Sequence, residues 1–149
     1  MLLYKNHRFY CHGISFAIPE GFYLDTNYDD IHQDTLNLWS EDKSLYICVG
    51  VHEGTRGARQ ELSFILHGLE DILITDPMKP VSLGGLSGYA GAYLSEPKHY
   101  WEAHLHISGE GNDQVELLLL IRSKENLLSE ETICELINQI GIQAHSDTH

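Results

Sequence analysis

Positive charge is scarce in this chain. Nine lysines and arginines stand against 22 aspartates and glutamates, a formal net charge of −13 over 149 residues. A surface that acidic repels phosphate backbones and anionic lipids, so a nucleic-acid partner is not expected. Long apolar runs are also missing. The most apolar stretch, Val115-Glu116-Leu117-Leu118-Leu119-Leu120-Ile121, is interrupted by Glu116 and falls far short of the ~20 residues of a membrane-spanning helix. Near the start, Leu2-Leu3 runs at once into Tyr4-Lys5-Asn6-His7-Arg8, where a secretory leader needs ~7–15 apolar residues. The expectation is a cytoplasmic chain with no membrane insertion. Cysteines number only three, Cys11, Cys48 and Cys134, with no CxxC pair. That excludes a disulfide scaffold and fits small buried hydrophobes in a reducing compartment.

What is present is enough for a core. Hydrophobic residues make up 42% and charged residues 21%, a balance that disordered chains do not have. One domain over 1–149 is expected, since ~100–200 residues is the usual domain size. The residues from about Ala144 onward read as a loose tail.

The first third alternates with period 2. Phe9 and Cys11 form one strand, Ile14, Phe16 and Ile18 a second that ends at Pro19-Glu20-Gly21, and Leu36, Leu38 and Trp39 a third. Leu45, Ile47, Val49 and Val51 form a fourth after the polar turn Ser40-Glu41-Asp42-Lys43. The period then changes. Ala58, Leu62, Ile65, Leu66, Leu69, Ile72 and Leu73 fall on one helical stripe, so a helix is expected over about 57–74, ended by Thr75-Asp76-Pro77. Turns at Gly84-Gly85, Ser95-Glu96-Pro97-Lys98 and Gly109 to Asp113 then divide a second β region into an antiparallel four-strand meander. A final helix over about 129–140 opens on Ser129 as N-cap, carries Glu130 and Glu131 in its first turn, and closes at Gly141. The order predicts an α+β domain: one antiparallel sheet of about six to seven strands with two main helices packed on it.

The segment Ile14-Ser15-Phe16-Ala17-Ile18-Pro19-Glu20-Gly21-Phe22, the glycine pair before the meander and the amphipathic last helix resemble the α/β/α sandwich of the PsbP-like and DcrB-like family, which includes the Ran-binding Mog proteins. The segment is similar to the "F-x-I-P-x-G-W" opening of those domains, with Phe22 in place of tryptophan. The resemblance implies binding and assembly roles rather than catalysis, and it carries over no functional residue.

One constellation offers chemistry. On the strand Tyr100–Ser108, Trp101, Ala103, Leu105 and Ile107 share one face, and Tyr100, Glu102, His104 and His106 the other. Pairing Ser108 with Gln114 sets Ile107, Leu105, Ala103 and Trp101 against Val115, Leu117, Leu119 and Ile121, and brings His106 opposite Glu116. His104 and His106 then stand ~6.6 Å apart on one face. With Glu102 and Glu116 they are a candidate zinc or iron set. The plainer reading is the polar side of a half-solvated strand, with no cofactor. Small residues Gly88, Ala90 and Ala92 on the neighbouring strand could leave a gutter for a small ligand, or could let a helix pack closely. No nucleophile elbow and no phosphate loop exist. The acidic stretch Asp25 to Asp34 reads as a solvated loop.

The leading functional expectation is therefore a non-catalytic interaction or assembly module, chaperone-like, with a protein partner or a second copy as client. The alternatives are a metal-dependent enzyme or a small-ligand binder using Glu102, His104 and His106. Aromatic residues cluster in the first third, and the strands at Phe9–Cys11 and Leu36–Trp39 are expected to be short unprotected edges. Tyr23 and Trp39 are the expected protein-binding anchors.

Overall fold

A computed structural model describes residues 1–125 and 128–145. The last four positions, 146–149, which belong to the expected tail, lie outside the described residues.

The chain opens with two tight hairpins. β1 (Leu3–Lys5), β2 (Arg8–Cys11) and β3 (Ile14–Phe16) are joined by Asn6-His7 and His12-Gly13, all with positive φ. Turns of that hand match the twist of the strands they join. Here β1 was missed from the sequence, because Leu2-Leu3 breaks off too early to show alternation. The C-terminal β11 (Gln143–Ala144) pairs with β3 and completes a four-stranded sheet ordered β1-β2-β3-β11. Ala144 is thus in a strand rather than a tail. It is fixed by hydrogen bonds from its own amide to Gly84 and from the His145 amide to Gly13.

The larger sheet has seven strands in the order β4-β5-β6-β10-β9-β8-β7. They are β4 (Phe22–Leu24), β5 (Thr35–Ser40), β6 (Leu45–Thr55), β7 (Leu73–Leu83), β8 (Leu86–Ser95), β9 (Lys98–Ser108) and β10 (Gln114–Ser123). The fold is α+β and antiparallel as expected, but two sheets replace the single one. The meander β7–β10 uses the three anticipated turns, and Gly84-Gly85 has φ of 58° and 86°. Glycine is required at Gly84 for a second reason: a Cβ there would lie 1.8 Å from the Ile142 carbonyl oxygen.

Between β4 and β5, the stretch expected to be a loop forms a short helix, α1 (Tyr28–His32). The Asn27 side chain accepts from the Asp30 amide, and the Asp30 carboxylate accepts from the Asn27 amide. That reciprocal capping box carries the helix in place of an apolar stripe. The next helix, α2 (Ala58–Gly68), ends well before the expected boundary. Leu73 already pairs with Leu94, so sheet pairing claims the residues that would have continued the stripe. Gly68 and the acids Glu70 and Asp71 also oppose propagation, since glycine is a poor helix former and acids are unfavourable at the negative end of the dipole. Leu69 is consequently half exposed rather than core. The last helix, α3 (Glu130–Ile140), begins where expected, with Ser129 accepting from the Thr132 amide and Gly141 in the left-handed region.

The inner face of the large sheet packs against α3 and the small sheet. Leu36, Leu38, Ile47, Val49, Leu105, Leu117, Leu119 and Ile121 meet Phe9, Ile14, Phe16, Leu136 and Ile140 in one cluster. The outer face is covered only in part. Leu62 and Leu66 of α2 pack on Tyr93 of β8, with Tyr89 and Tyr100 beside them.

Candidate functional site

The β9–β10 register is the expected one from Glu116 onward: His106 faces Glu116, Leu105 faces Leu117 and Trp101 faces Ile121. A bulge between Val115 and Glu116 shifts the hairpin end, so that Val115 faces Ser108 rather than Ile107. Glu102, His104 and Glu116 therefore share the outer face, beneath α2, and all three are buried. His106 shares that face, opposite Glu116, but is exposed and makes no hydrogen bond to them among the described residues.

His104 lies between the two carboxylates. Its Nε2 is 2.6 Å from Glu102 Oε2 and its Nδ1 is 3.0 Å from Glu116 Oε1. Only an imidazolium can donate to both at once. Glu102 Oε1 also accepts from the Tyr93 hydroxyl at 3.0 Å. Burial pushes the Tyr93 phenol up, reinforced by the Glu102 charge, so it remains a neutral donor. For His104, burial alone would lower the pKa. The hydrogen bonds of Glu102 and Glu116, with their charges, outweigh it and hold the ring up at about 9.

The chemistry of this trio is ionic. Both ring nitrogens carry protons directed at carboxylates, so neither presents a lone pair to a metal. Among the described residues, no group of three or more His, Cys, Asp or Glu has the arrangement of a metal cage. Ala90 and Ala92 do not border the trio. They face Ala103 and Trp101 on the inner side, in the core. Gly91 is the β8 residue opposite Glu102, and α2 closes over it, with Leu66 Cδ1 at 3.0 Å from where a Cβ would stand. At Gly91 the expected gutter is thus filled by the helix, whereas its Gly88 end, beside His106 and the start of α2, stays open as a cavity of about 730 Å³.

The sign of the pH dependence follows from the raised pKa. The His104 contribution is fully present below the ordinary value of ~6.5 and is lost as pH rises through about 9. The difference is worth about 3 kcal/mol at most. Denaturant unfolding from pH 6.5 to 10 should show a loss approaching that size relative to a His104→Asn variant. NMR titration of the ring should give a midpoint above about 8, and a midpoint below the ordinary ~6.5 would contradict the ion-paired geometry.

A second buried histidine behaves oppositely. His99 accepts the Leu128 amide at 2.5 Å on Nδ1, and its Nε2 lies 3.0 Å from Thr75 Oγ1. Burial lowers its pKa, so it is a neutral tie that fixes the approach to α3. Ser15 Oγ lies 2.6 Å from His145 Nε2 and accepts from Arg8 Nε. Ser15 is wholly buried in β3, so this pair fastens the C-terminal strand and offers no nucleophile. Burial also raises both thiols, Cys11 to about 12, which keeps them protonated and unreactive.

The expected protein-binding anchors are neighbours. Tyr23 faces Trp39 across β4 and β5. Tyr23 is exposed. Trp39 is half-buried, donating from Nε1 to Asp25 and packing beside Tyr46. The strands expected to be edges are interior, however. β2 lies between β1 and β3, and β5 between β4 and β6.

The fold and the site together define an α+β arrangement of antiparallel sheets with a buried ionic trio beneath one helix. No family model matches the chain, and no curated protein matches it by sequence. Among solved structures it is similar to LpqN of Mycobacterium tuberculosis, described as involved in cell envelope biogenesis. The TM-score is 0.61 with 16% identity, over 89% of this chain and 83% of that one. At that identity the likeness is one of fold.

Proposed function

We propose that this protein is a non-catalytic interaction module that holds a protein partner or a second copy of itself against the uncovered half of its large sheet. One observation carries this reading. The helix α2 packs mainly on β8 and β9 and also touches β7, so the outer face toward β5, β6 and the far half of β10 is left with Trp39, Tyr46, Leu118 and Leu120 half-buried, and Tyr23 exposed beside them. A band of aromatic and aliphatic side chains of this kind is characteristic of interfaces. The sandwich resemblance, to the PsbP-like and DcrB-like proteins, belongs to the same reading and is supported by the α+β topology. A cytoplasmic location is proposed with it. The likeness to LpqN bears on the fold and leaves room for an envelope-associated client.

The trio Glu102–His104–Glu116 does not compete with this reading, because its charges are spent on one another. Instead it ties β9 to β10 beneath α2, alongside the uncovered band.

Trp39→Ala and Tyr23→Ala should each weaken association by about 2 kcal/mol or more, roughly 30-fold, with secondary structure unchanged. Analytical ultracentrifugation across concentration detects a second copy. Photo-crosslinking from position 23 in the native host, followed by purified binding assays, detects another protein. A strictly monomeric chain that yields no crosslink, with association unaffected by either substitution, would exclude the proposal.

A further inference from the structure

Alternation places three cations on one end of the outer face, and a turn adds a fourth. Lys98 and Tyr100 on β9 share that face, as do Arg122 and Lys124 at the end of β10, because side chains two residues apart point the same way. The β5–β6 turn brings Lys43 and Ser44 to the same end, and the Lys124 amide donates to the Ser44 carbonyl at 2.9 Å. Together with Trp39 these residues enclose a cavity of about 220 Å³, lined by Trp39, Lys43, Ser44, Lys98, Arg122 and Lys124.

The charge there is out of character with the rest of the molecule. Four of the chain's nine lysines and arginines line this one cavity, in a protein of net charge −13. Among the described residues, no aspartate or glutamate lines it. Among the described residues, none of the four cations has a carboxylate partner within ion-pair distance, whereas Lys79 pairs with Asp76 and Arg56 with Glu61. Two carboxylates adjoin these cations in sequence, Glu125 beside Lys124 and Asp42 beside Lys43; among the described residues Glu125 makes no ion pair with them, and the other, Asp42, is occupied. It accepts from the Ser40 and Ser44 hydroxyls and from the Ser44 amide. Four like charges held together without an anion repel one another, and a bound anion relieves that repulsion.

The geometry of Arg122 narrows the ligand. Its guanidinium lies against two rings, 5.3 Å from the Trp39 centroid and 4.6 Å from that of Tyr46. A guanidinium packed on aromatic rings is held in place while its N–H edge stays available for paired hydrogen bonds to an oxyanion. Three lysines beside one such fork match a dianion better than a single carboxylate.

We propose that this cavity is a binding site for a phosphate monoester, with Arg122 as the orienting fork, Lys43, Lys98 and Lys124 as the charge partners and Trp39 as the non-polar wall. The site does not depend on the interaction surface proposed above, although Trp39 borders both. A free small phosphate ester and a phosphoserine carried on a peptide present the same group and are separated by the test.

Isothermal titration at low and at physiological salt would use three probes: inorganic phosphate, phenyl phosphate and a phosphoserine peptide with its unphosphorylated counterpart. The expected result is saturable binding of one phosphate-bearing ligand per chain, weaker at higher salt. Affinity should fall by at least about tenfold in Lys98→Gln/Lys124→Gln, and also in Arg122→Lys, which keeps the charge but loses the fork. Lys5→Gln, which removes a charge far from the cavity, should bind as wild type. Tighter binding of the phosphopeptide than of phenyl phosphate assigns the group to a protein partner, and the reverse order assigns it to a small molecule. The proposal is overturned if none of the three probes binds saturably, or if the folded Lys98→Gln/Lys124→Gln protein binds as well as wild type.

Discussion

Replacing His104 by alanine should destabilise the protein by about 3–5 kcal/mol, since removing one partner of a buried ion pair strands the other. Here two carboxylates are stranded. Glu102 and Glu116 are almost wholly buried, and their shared counter-charge is the ring that binds both. Glu116 is the more vulnerable. Its Oε2 already has no hydrogen-bond partner among the described residues, so losing His104 leaves the whole carboxylate unsatisfied. Glu102 would retain the Tyr93 hydroxyl. The comparison that isolates charge from packing is a triple replacement of Glu102, His104 and Glu116 by apolar residues of similar volume. Exchanges of that kind are often neutral or stabilising. Urea unfolding at neutral pH should therefore rank the triple variant well above His104→Ala. If His104→Ala costs less than about 1 kcal/mol, the imidazolium is not what neutralises the site.

The second large effect should come from the smallest substitution. Gly88→Ala places a Cβ 1.9 Å from the His104 carbonyl oxygen and 2.8 Å from the Leu105 Cα. Both obstacles are backbone, and β8 is hydrogen-bonded on each side, to β7 and β9, so the strand has no free direction in which to yield. A loss of more than about 3 kcal/mol is expected, as for overpacking in a rigid core. The control is Gly21→Ala. Gly21, unlike Gly88, sits at positive φ, 83°, but nothing lies within 4 Å of its would-be Cβ, so only the conformational penalty of about 1 kcal/mol should appear. Equal melting shifts for the two variants would show that β8 and β9 can separate at Gly88.

Much of this architecture was legible in the sequence, for reasons that can be stated. The meander is local: each strand pairs with the next, its turns carry glycine or proline, and the apolar alternation of β9 and β10 admits one register. The two hairpin glycines and the Ser129 cap act over a few residues, where sequence signals are strongest. The small sheet was not legible. β3 pairs with β11 across more than a hundred residues, and β1 is too short to show a period. The end of α2 was missed because Leu69, Ile72 and Leu73 fit the helical stripe by chance, while Leu73 is needed to pair with β8. For the site, alternation placed Glu102, His104 and His106 together on one face. It could not say that α2 buries the first two and leaves His106 in solvent. Nor could it show that Ala90 and Ala92 turn inward, since the phase of β8 relative to β9 is set by the Glu96-Pro97 turn. The cationic cavity was hidden for another reason. Net charge is a sum, and a total of −13 conceals a local excess of the other sign.

The edges of the large sheet differ in one further respect. At one end, β7 carries Pro77 and Pro80 with Lys79 between them on a bulged strand. Proline offers no amide to a neighbouring strand, and its ring obstructs approach. At the other end, β4 is short but free of proline and lysine. The sheet is therefore polar in the sense of a chain that can be extended from one end only. Two copies meeting edge to edge through β4 would present a proline-blocked strand at each outer limit of the joined large sheet. Growth along that sheet would stop at the pair.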